Sequence, residues 1–140
     1  MEIKQVMEIK EYFKQDRYAA LSGIELIDVK LGWAKARMEI KDIHLNSYKV
    51  VQGGAIFTLA DLAFAAAVNS YGNLALGVQT STTYFKSATK GTLYAEAKVI
   101  NLHKKLAYFH VDITDDNEDL IAVFTATAYR KDIQLPFNNV

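Results

Sequence analysis

The sequence predicts an α+β domain in which an antiparallel sheet carries its helices on one face. Three observations lead there. One stretch, Val50 to Gly72, "VVQGGAIFTLADLAFAAAVNSYG", is apolar on nearly every side, with twelve apolar residues among the fourteen from Ala55 to Val68. Four segments after it, at 75–85, 92–101, 105–115 and 119–131, show a period of two and are rich in Val, Ile, Thr, Tyr and Phe. Two shorter segments of the same kind precede it. The expected order is helix, two strands, apolar helix, four strands, within a single domain over residues 1–140.

Residues 2–21 read as an amphipathic N-terminal helix, with Ile3, Val6, Met7 and Phe13 near one face among Glu, Lys and Gln. Gly23 is its stop. In "IELIDVKLGWAKARMEI" two strands flank Leu31-Gly32, with Ala34, Ala36, Met38 and Ile40 alternating against Trp33, Lys35, Arg37 and Glu39. Residues 41–52 form a polar connection. The long apolar helix follows and ends at "YGN", residues 71–73. "SATKG", "NLHKK" and "DDNED" then separate the last four strands as turns or loops. The end, 132–140 with "QLPFNNV", reads as a loose tail. A helix apolar all round must be covered all round. Either the sheet curls around it, a partner chain covers the rest, or both.

Composition narrows the function classes. Sixteen basic residues balance sixteen acidic ones, so no global field favours nucleic acid or an anionic membrane. Cysteine is absent, which removes disulfides, thiolate metal ligands and a thiol nucleophile. His44, His103 and His110 lie scattered without metal-ligand spacing, so no metal is expected. The charged start is unlike a secretory signal, and the longest unbroken apolar run, Leu62 to Val68, is far short of a membrane span. A cytoplasmic protein is the expectation.

Asp61 is the anomaly. On a helical wheel it shares a stripe with Gly54, Thr58 and Ala65. Its oxygens could be satisfied by the Thr58 hydroxyl one turn back, or could reach solvent at the domain edge. Alternatively it is a desolvated carboxylate with a raised pKa, an arrangement that proteins keep where a base or nucleophile is needed. Gly53-Gly54, at the helix start, allow close approach to the backbone. Their amides have no intrahelical partner and suit a developing oxyanion, though a simple turn into the helix would use the same residues. Gly53 and Asp61 are eight residues apart, roughly 12 Å along one helix. A base and an oxyanion donor must both lie within about 3 Å of the reacting atoms. One chain does not easily supply both. Two antiparallel copies of the helix across a twofold axis would, and would also cover the apolar face.

"NSYKVVQGGAIFTLADLAFAAAVNS" resembles the hotdog-fold acyl-CoA thioesterases of the phenylacetate-degradation (PaaI-like) type. Their pattern of Asn, five residues, His-Gly-Gly, six residues and Asp appears here as Asn46, Gln52-Gly53-Gly54 and Asp61. The likeness continues through "GVQTSTTYFKSATKGTLYAEAKVI" and "AVFTATAYRK", over about residues 20–131. The resemblance implies a curved antiparallel sheet wrapped around the central helix, and a homodimer, often a homotetramer. It also implies hydrolysis of an acyl-CoA to a free acid and coenzyme A without a cofactor. Asp61 would be base or nucleophile, the Gly53 N–H the oxyanion donor with Gly54 in support, and Asn46 the positioner of water or substrate.

Gln52 departs from the pattern, standing where the family usually has His. It keeps a donor and an acceptor but does not titrate. If the His only hydrogen-bonds the carbonyl or fixes the loop, Gln substitutes; if a cation is needed, the rate falls. Gln79, Thr80, Ser81 and Thr82 lie on the strand that the family sets beside the thioester, where one of them could hold the water, or they are ordinary strand residues. Lys86, Lys90 and Lys104-Lys105 could meet coenzyme A phosphates or simply solvate turns. Tyr12, Phe13 and Tyr18 could border an acyl pocket or belong to the core. The leading reading is a thioesterase. The alternatives are a non-hydrolytic acyl-CoA or small-ligand binding protein on the same fold, favoured by Gln52, and a hydratase, disfavoured because no His sits at the matching position.

Overall fold

A computed structural model describes residues 1–137 and contains, in chain order, α1 (Ile3–Phe13), α2 (Arg17–Leu21), β1 (Ile24–Lys30), β2 (Trp33–Glu39), a short 3-10 turn (Asp42–His44), α3 (Gly53–Asn69), β3 (Asn73–Tyr84), β4 (Thr92–Leu102), β5 (Leu106–Thr114) and β6 (Leu120–Gln134). The strands make one antiparallel six-stranded sheet in the order β1-β2-β4-β5-β6-β3. The sheet curves around α3, which packs against all six strands.

The inner face of the sheet shows why that is possible. Ala34 and Ala36 on β2, Ala95 and Ala97 on β4, Ala107 on β5, and Ala122, Ala126 and Ala128 on β6 are all buried beneath α3. Small side chains let the sheet approach the helix closely, and α3 answers with its own alanines. Bulk is concentrated in Phe64, Phe109 and Phe124, whose rings meet edge-on or tilted at 5.7 and 6.0 Å. The far end of α3 is tied down by Asn69, whose amide donates to the Ala65 and Ala75 carbonyls and accepts the Ala75 N–H.

Two expectations need correction. The N-terminal helix over 2–21 is two helices, because Asp16 caps a new one by accepting the Ala19 N–H at 3.0 Å. Within α1 the inward residues are Val6, Ile9, Tyr12 and Phe13, whereas Ile3 and Met7 face out. Nor is the tail loose where it is described: β6 runs to Gln134, the Leu135 N–H donates to the Gly72 carbonyl, and Leu135 and Phe137 are buried. The remainder of that expectation, 138–140, lies outside the described residues.

Two open surfaces among the described residues bear on the site. β3 is an edge strand and exposes Leu76 and Val78, at 49% and 61% of their areas. Between Ile56 and Asn69, α3 is buried everywhere except Phe57, Thr58, Asp61 and Ala65. With Gly54, the last three reproduce the stripe expected from the helical wheel. No helix among the described residues is long and apolar enough to cross a membrane.

Candidate active site

Asp61 projects from the open stripe of α3 and is exposed in the single chain. Thr58 does not serve it. The Thr58 hydroxyl donates to the Gly54 carbonyl at 2.8 Å, the local bond that a helical threonine makes to the preceding turn. The Asp61 carboxyl has no hydrogen-bond donor among the described residues, and its pKa is raised, first by burial and then by the negative charge of Asp16. Exposure and desolvation coexist because protein crowds the carboxyl on one side: Asp61 shares a groove with Tyr12, Phe13, Phe64 and Leu76. The open side faces away from the sheet.

Asp16 was not legible as a site residue, yet its carboxylate disfavours ionisation of Asp61. Substituting Asn preserves the helix cap and removes the charge. If ionised Asp61 is the working form, kcat/KM falls as the pH drops through its raised pKa. Asp16→Asn lowers that pKa, so the acid limb of the pH profile should move to lower pH, a shift readable in a series of buffered assays.

The entrance to α3 is built by Gln52, Gly53 and Gly54. Gln52 is the N-cap residue, in extended conformation at φ −65° and ψ 139°. Its N–H donates to the His44 carbonyl at 2.7 Å, and its carbonyl accepts from Ala55 and Ile56. His44 is buried. Its Nδ1 accepts the Lys41 N–H and its Nε2 faces the Ser22 carbonyl at 2.7 Å, which places the proton on Nε2 and makes this residue a brace behind the loop. Tyr84, which sequence reasoning missed, donates its hydroxyl to the Gly53 carbonyl at 3.0 Å. A Cβ on Gly53 would lie 3.1 Å from that hydroxyl, and one on Gly54 only 2.5 Å from the Gln52 Oε1. Both glycines are therefore covered closely by neighbouring side chains. Their N–H groups have no partner among the described residues, as the start of a helix requires.

Asn46 lies in the exposed loop leading to this entrance. Its Oδ1 accepts the Tyr48 and Val50 N–H groups at 2.9 and 3.3 Å, which leaves its NH2 for other partners. On β3, residues paired across to inward-facing Ala126 and Phe124 face α3, and these are Thr80 and Thr82. The Thr82 hydroxyl is buried without a partner among the described residues. Gln79 and Ser81 pair with outward-facing Thr127 and Thr125, so they lie on the face away from α3. Strand alternation thus puts Gln79 and Ser81 on the opposite face of β3 from Thr80 and Thr82. Lys86 is engaged within the chain: its ammonium donates to Asp119 at 2.6 Å and lies 3.8 Å from Asp115, and these carboxylates raise its pKa. Lys90, Lys104 and Lys105 are exposed on loops.

Within one chain Asp61 and the Gly53 amide share the open side of α3 but stay about two turns apart. A groove of about 250 Å³ adjoins Asp61, and another of about 230 Å³ adjoins Gln52, Thr58 and Tyr18.

Residues 48–122 match the Thioesterase superfamily. A candidate esterase of Archaeoglobus fulgidus is 42% identical over 133 residues, covering 94% of this chain and 86% of its own. The acyl-coenzyme A thioesterase PaaI of Escherichia coli K12 is 29% identical over 119 residues, covering 84% and 85%. The solved structure of E. coli PaaI, from the phenylacetic acid degradation operon, superposes with a TM-score of 0.85 at 27% identity over 89% of this chain and 91% of that one. With the wrapped sheet, the central helix and the Asn46, Gly53 and Asp61 pattern in place, this chain belongs to the thioesterase superfamily as a hotdog-fold, PaaI-like thioesterase.

Proposed function

We propose that this protein hydrolyses acyl-CoA thioesters at two equivalent sites, each shared between the chains of a homodimer. One observation carries the reading. A carboxylate and two amides, none with a partner among the described residues, lie along the same uncovered stripe of one helix, too far apart to act together within that chain. An antiparallel twin of α3 brings Asp61 of each chain beside the Gly53 of the other. The open β3 edge, with Leu76 and Val78 exposed, gives the second chain a strand to pair with.

At such a site the thioester carbonyl oxygen accepts the Gly53 N–H, with Gly54 in support and the helix dipole aligned toward it. Asp61 acts as base or as nucleophile. As base it takes a proton from water, whose oxygen bonds to the carbonyl carbon. The tetrahedral oxyanion then collapses, the C–S bond breaks, and the thiolate of coenzyme A recovers the proton from Asp61. As nucleophile the carboxylate forms the bond itself, and the C–S bond breaks to expel the coenzyme A thiolate. Water then cleaves the resulting anhydride, releasing the free acid and regenerating Asp61, and a proton from that water goes to the thiolate. The raised pKa suits either role, since the carboxylate that results is more basic than an ordinary aspartate.

Gln52 offers its amide N–H near the carbonyl without changing charge, and Asn46 offers its free NH2 to water or substrate. Thr80 and Thr82 supply hydroxyls on the helix-facing side of β3. Lys90 is an exposed cation for a coenzyme A phosphate. These groups and water complete the chemistry, so no cofactor is invoked. The test is thiol release from a panel of aryl and fatty acyl-CoAs. Turnover of at least one thioester supports hydrolysis; saturable binding of the panel without thiol release from any of them identifies a binding protein instead.

A further inference from the structure

We propose that His44 is a positioning residue for this reaction, its ring tying the entrance of α3 to the end of α2 so that the Gly53 N–H stays aimed at the thioester oxygen. The inference rests on the thioesterase reading of Gly53 and Asp61. It adds a residue that acts through the Gly53 amide without touching substrate. His44 sits at the root of the loop that delivers both Asn46 and Gly53. Its carbonyl accepts the Gln52 N–H at 2.7 Å, Leu45 and Val51 form an antiparallel bridge next to that bond, and the Asn46 N–H donates to the Val50 carbonyl at 2.8 Å. Residues 44–52 are thus a closed clip, and Gly53 is the residue that leaves it. Where the root of the clip stands fixes where the first amides of α3 point.

The His44 ring holds that root. It is 4% exposed, and both nitrogens are used: Nδ1 accepts the Lys41 N–H at 2.9 Å, and Nε2 donates to the Ser22 carbonyl at 2.7 Å. The Lys41 bond is local and lies beside a backbone bond from the His44 N–H to the Lys41 carbonyl, so it adds little constraint. The Ser22 bond spans 22 residues and reaches another element. Ser22 is the C-cap of α2, where the last carbonyls of a helix lack helical partners, and Gly23 at φ +76° turns the chain away into β1. The imidazole therefore satisfies a helix-end carbonyl and anchors the loop with one bond. The opposite end of α2 carries Asp16, whose charge bears on Asp61. One short helix is thereby coupled to both halves of the site.

The experiment separates the two ring bonds. His44→Asn places an amide oxygen where Nδ1 stands and keeps the local bond, but stops short of Ser22. His44→Gln reaches Ser22 with its amide N–H and gives up the local acceptor. The Gly53 amide acts on charge that develops in the transition state. His44→Asn should therefore lower kcat by about ten- to a hundredfold with KM nearly unchanged, and His44→Gln should restore most of kcat. In the Gly53→Pro background, where the amide is gone, His44→Asn should cost no further activity; an independent structural role would lower kcat by the same factor again. Wild-type kcat in His44→Asn, equal losses in the Asn and Gln variants, a loss confined to KM, or full additivity with Gly53→Pro overturns the proposal. His44→Met, which fills the space without a donor, replaces His44→Asn should that chain not fold, with the same loss expected. If the wild type releases no thiol from any acyl-CoA of the panel, the hydrolytic reading fails, and hydrogen exchange at the Gln52 N–H decides the brace separately. Exchange about tenfold faster in His44→Asn but not in His44→Gln upholds it, and equal exchange in all three chains overturns it.

Discussion

Asp61→Asn should lower kcat for thioester hydrolysis by about 10²- to 10⁴-fold, the range expected on losing a general base, with KM changed by only a few-fold. A nucleophilic role would put the loss at the upper end or beyond. The substitution is close to isosteric, and Asp61 gives up no hydrogen bond within the chain because it makes none among the described residues. Stability should not fall with activity. Burial raises the folded-state pKa of Asp61, so its ionised form is the less favoured one in the folded protein. That penalty is present at neutral pH, vanishes in acid, and is removed by the neutral amide. Thermal unfolding and thiol release on the same preparations check both halves. Equal turnover in the two proteins would count against the mechanism.

Gly53→Pro should cost about 10²- to 10³-fold in kcat, the usual effect of deleting one oxyanion donor. The backbone is prepared for it. Position 53 is the first residue of α3, where proline's missing N–H breaks no helical bond. Gln52, at φ −65° and ψ 139°, already has the extended conformation required before proline. The neighbour under pressure is Tyr84, whose hydroxyl would stand 3.1 Å from a new Cβ; it is half-exposed and can yield toward solvent at the expense of its hydrogen bond to the residue-53 carbonyl. Gly53→Ala crowds Tyr84 equally but keeps the N–H, so the difference between the two variants isolates the amide. Matching losses would assign the effect to Tyr84 rather than to the donor.

How much of this was legible depended on whether a feature is local. The apolar helix, the six strands and the order in which they appear follow from periodicity and turn residues over short windows, and each is present. The stripe of Gly54, Thr58, Asp61 and Ala65 was also readable, because helical geometry fixes which residues share a side. The break at Asp16 was concealed because a polar cap residue looks like any other polar position in an amphipathic pattern. Which of Gln79, Thr80, Ser81 and Thr82 face α3 was not readable, because the bulge near Gly77 resets strand alternation and the sequence around it gives no sign beyond the glycine itself. Lys86 looked free until the chain reversal brought Asp115 and Asp119 to it. Tyr84 and Asp16 act on Gly53 and Asp61 from positions 31 and 45 residues away. Only the tertiary fold brings such pairs together.

Mixing subunits tests the shared site most directly. Chains carrying Gly53→Pro and chains carrying Asp61→Asn, each nearly inactive alone, are denatured, combined in equal amounts and refolded, with exchange verified by differential tagging. Each mixed dimer should contain one site with an intact carboxylate facing an intact amide, and random pairing should restore about a quarter of wild-type activity per chain. Proven mixing without recovery would show that each chain builds its site alone.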